Sequence, residues 1–168
     1  MPCYLKTWNL PDLPARATYI PKINDVFLSR FKEPPGKSII FLTETYNPVY
    51  ISSNFIPLRA KSGYSPFALL AFLKSSFGLC QLNKIILRRT TTAELYISNT
   101  PQIALPQLPP ALQNALHTYG QSIIEAEQVY RSFFSMNDQD RGVYENAISE
   151  LNQLTVKIDD LIKHFIEL

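Results

Sequence analysis

The sequence predicts a mixed α+β fold: a small β-rich domain followed by a long helical coiled-coil spacer or helical hairpin. Three observations lead there. Before residue 60, short runs of β-branched and aromatic residues alternate with Pro-rich breaks, the pattern of strands and turns. After Ser65-Pro66 a segment with a broad apolar face suits a helix packed on a core. Beyond Pro110 the apolar residues adopt a seven-residue repeat, the period of helices joined along a seam. With 168 residues, 46% of them hydrophobic and 18% charged, the chain can bury a core without disulfides or metal. Nine Tyr and ten Phe exclude a disordered chain.

Residues 1–22 carry Pro2, Pro11, Pro14 and Pro21, which deny the backbone regular hydrogen bonding, so a loop or arm is expected. Residues 23–30 read as a strand, and Pro34-Pro35-Gly36 turns the chain into a second strand at 38–42. A third strand is expected over 49–59, with Pro57 pointing to a sheet edge or bulge. Ser65 can cap free amides at a helix start, and Pro66 at the first helical position gives up no needed donor. That helix is expected to stop at Gly78, with a second, short helix from Leu79 to Arg88. Residues 94–98 and 102–105 then read as short strands.

From 110 onward the chain reads as long helix. The first apolar series is Leu112, Leu116, Tyr119, Ile123, Ala126, Tyr130 and Phe133, spaced 4, 3, 4, 3, 4, 3. After a break at 137–142 a second series follows: Tyr144, Ala147, Leu151, Leu154, Ile158, Leu161, Phe165 and Leu168. The two helices can pair as a hairpin, or their seams can recruit a second copy into a homodimer. The expected organisation is a domain over 1–109 and a helical spacer or dimerisation region over 110–168.

The net charge of +2 conceals a division along the chain. Residues 1–92 hold twelve Lys/Arg against four Asp/Glu, a balance of +8, whereas residues 93–168 hold four against ten, a balance of −6. A basic half suits a polyanion such as nucleic acid, because each neutralised phosphate releases condensed counterions. The alternative is a solvated basic face with no partner. The cations and hydroxyls placed to contact DNA are Arg30, Lys32, Lys37, Arg59, Lys61, Arg88, Arg89, Thr90 and Thr91. Of these Arg30 and Arg59, at strand ends, are the candidates for reading bases, since a guanidinium can fork to guanine.

Catalytic patterns are absent. His117 and His164 have no cluster of metal ligands around them and are expected at the surface. Asp159-Asp160, beside Lys157 and Lys163, reads as a solvated helix face. Five glycines, at 36, 63, 78, 120 and 142, build no phosphate loop, so no cofactor is expected. Ser29, Ser53 and Ser75 lack a glycine-flanked elbow and an evident His partner. Cys3 and Cys80 form no ligand spacing and are expected to be buried or inert thiols in a reducing cytoplasm. No stretch approaches the roughly 20 apolar residues of a membrane span, and residues 1–13 hold no apolar core of an export signal.

The order of these pieces resembles the repeat of type I restriction–modification specificity subunits and the related recognition domains of adenine-N6 DNA methyltransferases. The resemblance rests on Asp25-Val26-Phe27-Leu28-Ser29, then on Ser52-Ser53-Asn54-Phe55-Ile56-Pro57-Leu58-Arg59, then on the helical run Phe67 to Gly78. A Pro-Leu-Pro-Pro-like element over 103–113 and a long helix complete it, covering about residues 20–135. Asn24 departs from the family, which favours Gly before the Asp, and only one repeat is present where a full subunit has two. The resemblance implies a target-recognition domain with a helical spacer that binds double-stranded DNA and docks an adenine-N6 methyltransferase subunit. It implies no catalysis by the chain itself: Glu33-Pro34-Pro35-Gly36 lacks the methyltransferase's Asn/Asp-Pro-Pro-aromatic motif. The competing expectation is a protein-interaction adaptor, or orphan fragment, that has lost DNA binding.

Overall fold

A computed structural model describes residues 15–30, 39–41, 50–88, 93–105, 107–133 and 141–166. It has the mixed α+β architecture that the sequence predicts. The centre is a three-stranded antiparallel sheet in the order β3-β2-β5, built from β2 (Val26–Ser29), β3 (Ile39–Phe41) and β5 (Phe55–Leu58). Val26, Phe27 and Leu28 are all buried, as an uninterrupted apolar run at a sheet centre requires. Side chains alternate between faces, so Val26 and Leu28 join Ile56 in the main core while Phe27 meets the edge of Tyr19, with ring centroids 5.9 Å apart. Pro57 sits on edge strand β5, opposite Phe27, where its missing donor costs no interior ladder bond.

Two strand expectations change. The run 49–59 is split by a turn: the Ser52 hydroxyl accepts from the Asn54 amide at 3.3 Å, a local bond that competes with a continuous ladder. The result is β4 (Ile51–Ser52) and then β5. β4 pairs antiparallel with β1 (Ala17–Tyr19), so part of the expected N-terminal arm belongs to a two-stranded ribbon. Further on, β6 (Leu87–Arg88) pairs with β7 (Ala93–Glu94), but the strands expected over 94–98 and 102–105 do not extend. Residues Ile97–Gln102 form a 3-10 helix instead, because Thr100 Oγ1 donates to the Ile97 carbonyl and the Asn99 side chain donates to that of Ile85.

The first helix, α1 (Pro66–Lys74), starts as expected: Ser65 Oγ accepts from the Ala68 amide at 3.3 Å and Pro66 occupies the first turn. It ends at Ser75, not at Gly78. Ser75 is fully buried and its hydroxyl accepts from the Gly78 amide at 3.1 Å, capping the next helix, α2 (Ser76–Ile85). Gly78 therefore lies within α2, where a Cβ would come within 2.2 Å of the Phe72 carbonyl oxygen. Glycine is there for close approach at a helix corner, which sequence alone reads as a stop.

The two long helices are α3 (Pro110–Phe133) and α4 (Arg141–Ile166). They pack on each other, and α3 packs still more extensively on α1. Along α1 the contacts run from Gln113 and His117 at its start, through Gly120, to Glu127 at its end, so the two helices run in the same sense. Gly120 permits this, since a Cβ there would meet the Phe67 carbonyl oxygen at 2.2 Å. Leu112, Leu116, Ile123, Leu154 and Ile158 are buried within this single chain, and Leu151, Leu161 and Phe165 pack against the same core. One hydrophobic cluster thus spans β2, β5, α1, α2, α3 and α4, crossing the boundary expected at 109/110. On α4 the buried stripe drifts off the heptad to include Ile162, as it does on a straight 3.6-residue helix that faces several neighbours.

Candidate nucleic-acid interface

The best-defined polar site joins the two strand motifs that carry the resemblance. β2 and β5 pair directly, with Val26 opposite Leu58 and Ser29 opposite Phe55, which brings Asp25 and Arg59 together at one end of the sheet. Asp25 is fully buried. Its carboxylate accepts from Arg59 Nε at 2.7 Å, Arg59 Nη2 at 2.8 Å, the Lys22 amide at 2.9 Å and the Tyr19 hydroxyl at 3.0 Å. Arg59 Nη2 also donates to the Tyr19 hydroxyl oxygen at 3.0 Å. Burial alone would raise the Asp25 carboxyl's pKa, but the hydrogen bonds from Arg59, Lys22 and Tyr19 together hold it below its ordinary value. The bond to Asp25, with a smaller contribution from Tyr19, raises the guanidinium of Arg59, whose side chain is half exposed, while burial and then the Asp25 bond raise the Tyr19 phenol.

The loop behind Asp25 has a matching conformation. The Asp25 amide donates to the Lys22 carbonyl at 3.1 Å, closing a turn whose third residue, Asn24, has φ +69°. Asn tolerates this left-handed region better than any residue except Gly, so the departure at Asn24 keeps the backbone form that a Gly would supply. A second turn of the same kind, Lys61 to Tyr64 with Gly63 at φ +87°, follows Arg59 and leads into α1.

Arg30 is also engaged. Its Nη2 lies 2.6 Å from Glu94 Oε1 and its Nη1 donates to the Ser53 carbonyl at 3.2 Å, while its buried Nε has no partner among the described residues. It ties the end of β2 to the β4–β5 turn and to β7. Both arginines expected to read bases therefore have their forks occupied. On Arg59 the Nε/Nη2 edge holds Asp25 and the remaining Nη2 hydrogen faces Tyr19, leaving Nη1 without a protein partner among the described residues. A bidentate contact to guanine needs two parallel donors, so Arg59, whose Nε and Nη2 hydrogens are all engaged, would have to release Asp25 or Tyr19 to make one.

Lys61 is exposed, as are Arg16, Lys22 and Lys84, which no sequence motif singles out. Lys32, Lys37, Arg89, Thr90 and Thr91 lie outside the described residues, as do the side chains of Arg88 and Tyr130. Tyr19 carried no signal either, because its role depends on Asp25 and Arg59 reaching it through tertiary structure.

Several smaller expectations change. His117 is part-buried: its Nδ1 lies 2.7 Å from Ser65 Oγ and its ring meets Phe67 edge-on. Asp159 is not merely solvated, since it accepts from the Ser76 amide at 2.7 Å and the Ser76 hydroxyl at 2.5 Å, capping α2 from α4. Lys74 and Glu127 form an ion pair between α1 and α3. Cys80 is an exposed free thiol. Burial pushes the Tyr64 phenol up to about 12.

A pocket of about 110 Å³ beside Arg59 is lined by Leu58, Leu69, Leu73, Thr100, Ile103 and Leu105. That is well below the roughly 300–1,000 Å³ of typical small-molecule sites. Among the described residues no group of three or more His, Cys, Asp or Glu is gathered to hold a metal ion, and no helix is long and apolar enough to cross a membrane. No family model, curated protein or solved structure matches the chain.

Proposed function

We propose that the chain is a DNA-recognition half-subunit of a restriction–modification system, which binds duplex DNA through its β-rich basic half and positions an adenine-N6 methyltransferase partner without itself catalysing a reaction. The observation that carries this reading is the Asp25–Arg59 clasp. The two strand motifs of the resemblance, Asp25 to Ser29 and Ser52 to Arg59, contain the paired strands β2 and β5, whose ends are joined by a bidentate ion pair between the buried Asp25 and the half-exposed Arg59. The left-handed Asn24 adds to it, since the one departure within the first motif preserves a glycine-like backbone. Exposed Arg16, Lys22 and Lys61 lie near this clasp in sequence and suit phosphate contacts, which fix register without reading bases. The exposed acids Glu125, Glu150 and Asp160 on α3 and α4 suit a helical half held off the duplex.

The occupied forks of Arg30 and Arg59 favour a second reading, an adaptor that has lost DNA binding. Fluorescence anisotropy over a salt series, with and without the methyltransferase partner, separates the two. On the recognition reading log K falls against log salt with a slope of roughly −4 to −5, and Lys61→Ala or Arg16→Ala each lowers its magnitude by about one. Absence of duplex binding at low salt with the partner present refutes this reading in favour of the adaptor.

A further inference from the structure

The turn that Asp25 closes displays an unusual pair of side chains. Ile20 is 63% exposed and Ile23 is 55% exposed, with Pro21 buried between them and Lys22 pointing to solvent. Single exposed apolar residues are ordinary, and Ile97 and Val156 are of that kind. The Ile20–Ile23 pair differs in its frame. The Lys22 amide is bonded to a fully buried carboxylate, the Lys22 carbonyl accepts from the Asp25 amide, and Asn24 holds a positive φ that few residues accept. Tyr19 and Arg59 fix that carboxylate in turn. Two stiff, β-branched side chains are therefore presented on a rigid backbone beside Lys22 and the half-exposed Arg59 guanidinium.

Apolar tips set among cations match a surface that is anionic outside and apolar within. The DNA major groove is such a surface, flanked by phosphates and lined at thymine by a 5-methyl group. Its width of about 12 Å admits a turn carrying two isoleucines and a lysine, whereas the minor groove, about 6 Å wide, does not. We propose that the Ile20–Ile23 turn enters the major groove, with Ile20 and Ile23 packed on thymine methyl groups and Lys22 and Arg59 toward the flanking phosphates. This rests on the DNA-recognition reading and supplies base contacts that the occupied arginine forks do not make.

The test uses the full chain with its methyltransferase partner and the tightest-binding duplex recovered from a randomised pool. That duplex is compared with the same duplex carrying deoxyuridine in place of thymidine. The wild type should bind the deoxyuridine duplex about fourfold more weakly for each thymine methyl group that an isoleucine covers. The Ile20→Ala/Ile23→Ala variant should bind both duplexes alike, with the wild-type salt slope, whereas Lys22→Ala should lower the magnitude of that slope by about one. Both isoleucines are more than half exposed, so an unchanged melting temperature is expected and confirms that the variant is folded. Equal wild-type affinity for the two duplexes, retained discrimination in the double variant, or a recovered site without thymine overturns the inference and leaves salt-dependent DNA binding intact. If the wild type binds no duplex at all, the recognition reading falls and this inference falls with it.

Discussion

Removing the Asp25 carboxylate should cost the fold about 2–3 kcal/mol. Four hydrogen bonds end on this carboxylate, two from Arg59, one from the Lys22 amide and one from the Tyr19 hydroxyl. In Asp25→Ala the half-exposed Arg59 can turn to water, so its two bonds are largely replaced. The Lys22 amide and the Tyr19 hydroxyl lose a charged acceptor in part-buried surroundings, at about 1–3 kcal/mol for each donor left unsatisfied. Removing a buried charge returns part of that cost, which keeps the total near the low end. Against a total stability of roughly 5–15 kcal/mol this is a large fraction. Urea denaturation at pH 7 measures it. A loss under about 0.5 kcal/mol, the range of ordinary surface substitutions, would refute the structural role assigned to the clasp.

The same site gives a pH dependence with a definite sign. The Asp25 carboxyl is held below its ordinary value of 3.8 in the folded chain, so the folded state binds fewer protons there than the unfolded state. Its stabilisation is fully present above the unfolded pKa and is lost as pH falls through the lower, folded one. The stability gap between wild type and Asp25→Ala should therefore close on acidification below about pH 4, in melts recorded over a pH series. Arg59→Ala leaves burial less opposed, which raises the folded-state carboxyl toward its unfolded value, so the part of the acid-induced destabilisation that Asp25 causes should shrink. Two further outcomes follow from the helical packing. Gly120→Ala would stabilise an isolated helix by up to about 1 kcal/mol, but here its Cβ would meet the Phe67 carbonyl oxygen at 2.2 Å, so α1 and α3 must separate and denaturation should show a net loss of about 1–3 kcal/mol. Ile158→Ala should destabilise the folded chain by about 2–4 kcal/mol with a midpoint independent of protein concentration, because Ile158 is fully buried within one chain; a concentration-dependent midpoint in chemical denaturation would instead support a two-copy seam.

Where signals were local, the fold was legible. Ser65-Pro66 marks the start of α1 because cap and first turn lie within four residues, and the apolar periodicity after Pro110 marks α3 and α4 because a helix repeats on its own scale. Misreadings arose where a residue answers to a distant neighbour. Gly78 reads as a stop until the carbonyl of Phe72 is seen against it, and Asp159 reads as solvated until Ser76 reaches it from another helix. Arg30 and Arg59 read as free cations because nothing in their own segments announces Glu94 or Asp25 as a partner.

The sequence by itself determined the α+β class, the start of α1 and the segregation of charge, since these depend on propensity, capping and composition within short windows. The tertiary structure decided what the apolar seam and the cations face. A stripe of leucines specifies that a helix must bury one side, not whether α1, α4 or a second copy covers it, and here α1 and α4 do. A basic residue specifies a charge, not its partner. Only the pairing of β2 with β5 brings Arg59 onto a fully buried Asp25, where it supports the turn beside it.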